Sequence, residues 1–240
     1  MLRMAHRILT TPWTLKAPDA GRMAFIQKLS RVLLDTCRTA EVVIGDNVAQ
    51  YVQGIGRPYN GPFTTPESLC LVQRDWPNTL PPFPKLLVEW NTVGDTVTQA
   101  AMLFQTLTFD EAVKQGRDVA SQMESGAKMH VSAVHLHTDE LGRVSYAGNY
   151  TTYLCDARTG DIDIASIKAV NGAENYRSPL AVPLMVVSFM HCKNVRRVDA
   201  TSTEGPSNKW LRRQKAPTIR YHVLDINPMK EVLLKEGGVE

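Results

Sequence analysis

A chain of 240 residues with 43% hydrophobic and 21% charged residues has the composition of a globular protein large enough to bury a substantial core. Its net charge of +3 is too small to argue nucleic-acid binding by itself, and no apolar run reaches the length of about 18 residues that would read as a membrane span. Cys37, Cys70, Cys155 and Cys192 share no paired spacing, which argues against a disulfide framework or a Cys-x-x-Cys zinc site and makes a reducing cytosol the expected compartment.

The N-terminal stretch MLRMAHRILTTPWTLK has no acid before Asp19 and no continuous apolar region, and it is read as an extended arm over residues 1–20. Pro18-Asp19-Ala20-Gly21 then opens a helix, whose apolar stripe of Phe25, Ile26, Leu29, Val32, Leu33 and Cys37 runs to about Arg38. Residues 41–59 are ambiguous. Gly54-Ile55-Gly56 does not read as a phosphate loop, because no helix start follows it and Pro58 comes two residues later. Prolines mark loops near 58–66 and 76–84, with a strand expected between them at 69–72. Leu86 to Trp90 is a short strand, Val93-Gly94-Asp95 a turn, and Val97 to Phe109 a long strand. Phe109-Asp110-Glu111 opens a short helix or a loop. Met129 to Thr138 alternates as a strand, Asp139-Glu140-Leu141-Gly142 turns it, and Val144 to Cys155 returns as its partner. A further turn at Arg158-Thr159-Gly160-Asp161 leads to Ile162, Ile164 and Ile167.

Leu180, Leu184, Val187 and Met190 lie at helical spacing, and Pro179 and Pro183 fall where a first turn tolerates them, so a buried helix is expected over 180–192. From 195 to 217 no apolar periodicity remains. Between 191 and 222, eight cations face only Asp199 and Glu204, a local +6 that leaves −3 for the rest of the chain. This segment is expected to be a structureless, protease-sensitive loop. Residues 218–226 alternate as a strand, and Asn227-Pro228 starts a last helix over 228–236. The fold class is α+β: a single domain with a largely antiparallel, meandering sheet and a few packed helices.

SFMHCKNV, followed by a basic linker and RYHVLDINPMK, resembles a family of uncharacterised bacteriophage and prophage proteins, and LPPFPKLLVEW resembles an upstream element of that family. The resemblance carries no assigned chemistry. It implies a phage-type accessory protein in the cytoplasm of an infected or lysogenic bacterial host; from the residues themselves the expected partner is nucleic acid or a host or phage protein, with no membrane and no cofactor.

The basic segment is the main functional signal. Lys193, Arg196, Arg197, Lys209, Arg212, Arg213, Lys215 and Arg220 suit phosphates, and Trp210 and Tyr221 suit base stacking. A protein-binding loop fits the same composition. A second reading is a metal-dependent hydrolase. Strand alternation puts His135, His137 and Asp139 on one side, with His130 on the other, although the bland alternative is two surface histidines beside a turn. His191-Cys192 with Asp156 or Asp225 suggests a thiol nucleophile only weakly, because Cys192 follows a helix C-terminus. A third reading is an oligomeric structural protein that uses its sheet edges.

Overall fold

A computed structural model describes residues 2–17, 19–54, 78–92, 98–114, 123, 127–146, 150–170 and 180–226. In chain order these form α1 (Met4–Thr10), β1 (Thr14–Leu15), α2 (Ala20–Cys37), β2 (Glu41–Ile44), α3 (Asp46–Gly54), β3 (Lys85–Thr92), β4 (Thr98–Leu107) and α4 (Phe109–Lys114). There follow β5 (Lys128–Thr138), β6 (Val144–Tyr146), β7 (Tyr150–Asp156), β8 (Ile162–Val170), α5 (Ala181–Met190), β9 (Val195–Asp199), α6 (Thr201–Glu204), α7 (Asn208–Gln214) and β10 (Tyr221–Ile226). The strand expected at 69–72, the turn at 93–95 and the helix expected from Asn227 lie outside the described residues.

The fold is α+β, as expected, and its mixed sheet is mostly antiparallel. Among the described residues ten strands join in the order β1-β6-β5-β4-β3-β2-β10-β9, with β7 also on β5 and β8 outside it. The antiparallel run β3-β4-β5-β7-β8 is the meander that the turn signals announce. At 11 residues, β5 is long enough to pair with β7 through 128–134 and with β6 at 137 and 138. The expected return strand is therefore two strands laid end to end along one partner. Gly142 closes the hairpin at φ 70°, where a side chain would be strained. Besides the short parallel pair β1-β6, a parallel part β3-β2-β10 holds residues 41–44, which the sequence left ambiguous.

Helices cover both faces. On one, Val43, Leu86, Val88, Met102, Phe104 and Leu224 pack against α3 and α5. The α5 helix is apolar almost all round, and the buried Leu184, Met185, Val186 and Val187 show why it has no polar stripe. On the other face, Val42, Ile44, Leu87, Leu103 and Leu136 meet α1 and α2. Asp19 caps α2 by accepting from the Arg22 N–H at 2.7 Å.

Two expectations are corrected. Residues 1–20 are no extended arm: α1 buries Met4, Ala5, His6 and Ile8 against the sheet, and β1 pairs with β6. Nor is 195–217 a structureless loop, since it contains β9, α6 and α7. The apolar groups that anchor it come from elsewhere in the chain, which is why its own composition does not show them.

Candidate nucleic-acid interface

The basic segment is shaped by short local bonds and by the core beneath it. β9 pairs antiparallel with β10 at the edge of the sheet, from Val195 opposite Ile226 to Asp199 opposite His222. Asp199 Oδ1 then accepts the Thr201 N–H at 2.8 Å, and Thr201 Oγ1 accepts the Tyr221 N–H at 3.0 Å, which ties α6 to β10. Ser207 Oγ caps α7 by accepting from the Trp210 N–H at 3.3 Å. The helix ends at Lys215 in the left-handed conformation, φ 49°, with its N–H on the Arg212 and Leu211 carbonyls. Trp210 packs edge-on against the His6 ring at 5.9 Å.

This scaffold sorts the cations. Lys209, Arg212 and Arg213 are exposed, and their spacing puts them along one face of α7. Lys215 and Arg220 continue from that face into a cleft of ≈ 740 Å³, whose far wall carries Arg38 at the end of α2. Arg38 is a member that sequence reasoning missed: it lies far upstream and reads there as part of a solvated helix face. Glu41 also lines this cleft. Lys193 is exposed in the turn before β9. Arg196 and Arg197 project from opposite faces of β9, so they do not act together. Arg197 lies over the Phe83 ring at 4.8 Å and 3.7 Å from Glu41, and Arg38 bonds Asp35 at 2.8 Å, so both of these cations are ion-paired.

The expected stacking pair is not available as a pair. Tyr221 is fully buried, with its hydroxyl on His6 Nδ1. Trp210 is half-buried.

Beneath the surface lies a second cluster of charge. The Arg3 guanidinium bonds Asp46 at 2.7 Å and Glu204, and its Nε stands 3.8 Å from Glu89 Oε1. Glu89 is 1% exposed and accepts the Ala5 N–H at 2.7 Å. Burial drives its carboxyl up to about 7, against the pull of the Ala5 N–H and Arg3. For Arg3, burial opposes the charged form, but the bonds to Asp46 and Glu204 outweigh it and raise the pKa. Burial lowers His6, opposed by its contact with the Pro217 carbonyl. These groups join the start of α1 to α3, β3 and α6. The cations of α7 are a separate set.

The His135–His137 site is not assembled as a metal centre. The two rings stack on each other at 5.6 Å, and His135 also stacks on Trp90 at 6.3 Å. Burial first, and then His137, push the His135 imidazole down to about 3. Asp139 is occupied by its own turn: it accepts from the Leu141 and Arg143 N–H groups and from Arg143 Nε. Among the described residues no cluster of three His, Cys, Asp or Glu side chains can hold a metal. The pair is also not the exposed surface pair of the bland reading, since His135 Nε2 is sealed from solvent. His130 is buried, on the other face of β5.

No nucleophile forms at His191-Cys192. His191 Nε2 bonds the Leu80 carbonyl at 2.8 Å, Cys192 Sγ points at the Ser188 carbonyl, and Asp156 holds the turn at Arg158 and Thr159. Comparison with protein-family models, with curated proteins and with solved structures finds no match to this chain.

Proposed function

We propose that this protein is a phage-type accessory protein that binds single-stranded nucleic acid through α7 and the adjoining cleft. The observation that carries this reading is the row Lys209, Arg212 and Arg213, exposed and without carboxylate partners among the described residues, which runs into the cleft lined by Lys215 and Arg220. Cations held on a folded scaffold lose less entropy on meeting phosphates than the same cations on a disordered loop. The row is short, so affinity is set by a handful of phosphate contacts and falls with salt, with a slope of about −0.7 per phosphate for single strands. Trp210 adds one ring edge, and Tyr221 does not contribute a stacking face. Lys193, in the turn before β9, and Arg196 and Arg197 on β9 are peripheral to this surface.

Fluorescence anisotropy with a labelled oligonucleotide tests the reading. Binding should be clear at about 50 mM salt, fall steeply by about 200 mM, and drop at least about tenfold in Arg212→Ala/Arg213→Ala. No binding to RNA or DNA at the lower salt would overturn it.

A further inference from the structure

Beside the cationic cleft lies a second one of ≈ 650 Å³, and the two share Thr218 and Ile219 as a common wall. Their chemistry differs. The second cleft presents Asp199, Ser202, Asn208 and Thr218, and His6 lines it with both ring nitrogens already engaged. The side chains of Ser202, Asn208 and Thr218 are exposed or at the rim and spend no hydrogen bond within the described residues. Asp199 stays a carboxylate, because the Thr201 N–H and hydroxyl favour its charged form. One of its oxygens is committed to Thr201, and the other remains an acceptor.

A phosphate is repelled from such a cleft. A sugar hydroxyl suits it, being donor to the Asp199 carboxylate and both donor and acceptor to Ser202, Asn208 and Thr218. A ligand that spans the shared wall therefore carries a phosphate on one side and free hydroxyls on the other. Resting on the nucleic-acid reading above, we infer that the preferred strand is RNA: Lys215 and Arg220 in the cationic cleft take a phosphate, and the Asp199 cleft reads the adjacent ribose through its 2′-hydroxyl. The 2′-hydroxyl is the group that lets a protein separate RNA from DNA. Both hydrogen-bonding roles of that group have partners here.

The test compares RNA, DNA and 2′-O-methyl RNA of one sequence, bound to the full chain. RNA should bind about tenfold tighter than DNA, and the 2′-O-methyl strand should behave as DNA does, because methylation removes the donor. Ser202→Ala/Asn208→Ala should reduce that preference to about twofold or less with DNA affinity unchanged. Asp199→Asn, which keeps an acceptor for the Thr201 N–H, should do the same to the ratio while it raises both affinities. Equal affinity of the wild type for RNA and DNA would overturn the ribose assignment and leave the phosphate surface standing. A preference that survives both variants would overturn the placement at this cleft. Failure of every strand to bind at about 50 mM salt would remove both readings together.

Discussion

Arg3 sits among Asp46, Glu89 and Glu204 with little solvent access, whereas Lys209, Arg212 and Arg213 stand in water with no carboxylate partner among the described residues. Both groups are concentrations of charge. Their energetics are opposite. In the buried cluster each charge has lost its hydration and depends on the others, so removal of one leaves its partners uncompensated. In the exposed row each charge keeps its hydration, interacts weakly with the fold, and is free to exchange water for a phosphate. A charge cluster that holds a fold together is a poor place to look for a ligand, and a cluster that nothing in the fold requires is a good one.

The largest test of this difference is Arg3→Ala. It strands Glu89, Asp46 and Glu204 together and removes the tie between α1 and α6, and it should cost about 3 kcal/mol in urea unfolding. A loss below about 1 kcal/mol would mean that the cluster is solvated like the row above it.

The second test uses pH. Burial raises the Glu89 carboxyl from 4.5 to about 7, so between those values the folded state holds a proton that the unfolded state has released. The contribution from Glu89 is fully present below about pH 4.5 and is lost as pH rises through about 7. His135, lowered from 6.5 to about 3, acts in the opposite sense: its contribution is present above 6.5 and is lost as pH falls. The two windows overlap, so the quantity to measure is the difference between wild type and Glu89→Gln at each pH. That difference should change by about 2 kcal/mol between pH 4.5 and 7, in favour of the glutamine at the higher pH. A flat difference would show that Glu89 is ionised throughout.

The third test falls where the buried and exposed regions meet. A Cβ on Gly205 would stand 2.5 Å from the Thr201 carbonyl oxygen, a backbone atom that cannot swing away. Gly205→Ala should therefore cost about 1–2 kcal/mol in thermal or urea unfolding. It should also disturb the Asp199 cleft, which Gly205 helps to line, without touching the exposed cations. An unchanged melting curve would show that the α6–α7 joint yields freely.

The exposed row was legible in the sequence and the buried cluster was not, for the same physical reason. Eight cations against two acids stand out in any local count. Arg3, Glu89 and Glu204 are ordinary charged residues far apart in the chain, and Glu89 reads as a lone acid in the apolar run LLVEW. Only the parallel placement of β2 between β3 and β10 brings them together. The strands β3, β4, β5 and β10 and the helices α2 and α5 were visible from alternation, apolar spacing and the Pro18-Asp19-Ala20-Gly21 opening. β9 escaped because an edge strand whose residues after Val195 are all exposed has no buried side to betray its period. α7 escaped because seven residues, NKWLRRQ, are too few to show a stripe, and its anchors, His6 and the core beneath it, lie elsewhere. α1 escaped because Arg3, His6 and Arg7 make it look polar, while Arg3 and His6 have their partners on other elements and Arg7 bonds the Gly142 carbonyl.

The smallest expected effect sharpens the comparison most. Arg212→Ala/Arg213→Ala should change folding stability by less than about 0.5 kcal/mol, because neither side chain bonds another group among the described residues. Two small contributions oppose each other. The cations near the end of α7 favour its C-terminal dipole, and alanine favours the helix itself, each by a few tenths of a kcal/mol. The cap at Lys215 uses backbone N–H and carbonyl groups, which the substitutions leave in place. The same variant should lose at least about tenfold in affinity for a single strand at low salt. A variant that binds poorly and melts with the wild type places the two arginines at the interface and outside the fold. A drop in stability beyond about 1 kcal/mol would place them in the fold, and the row would then belong with Arg3 as part of what holds the chain together.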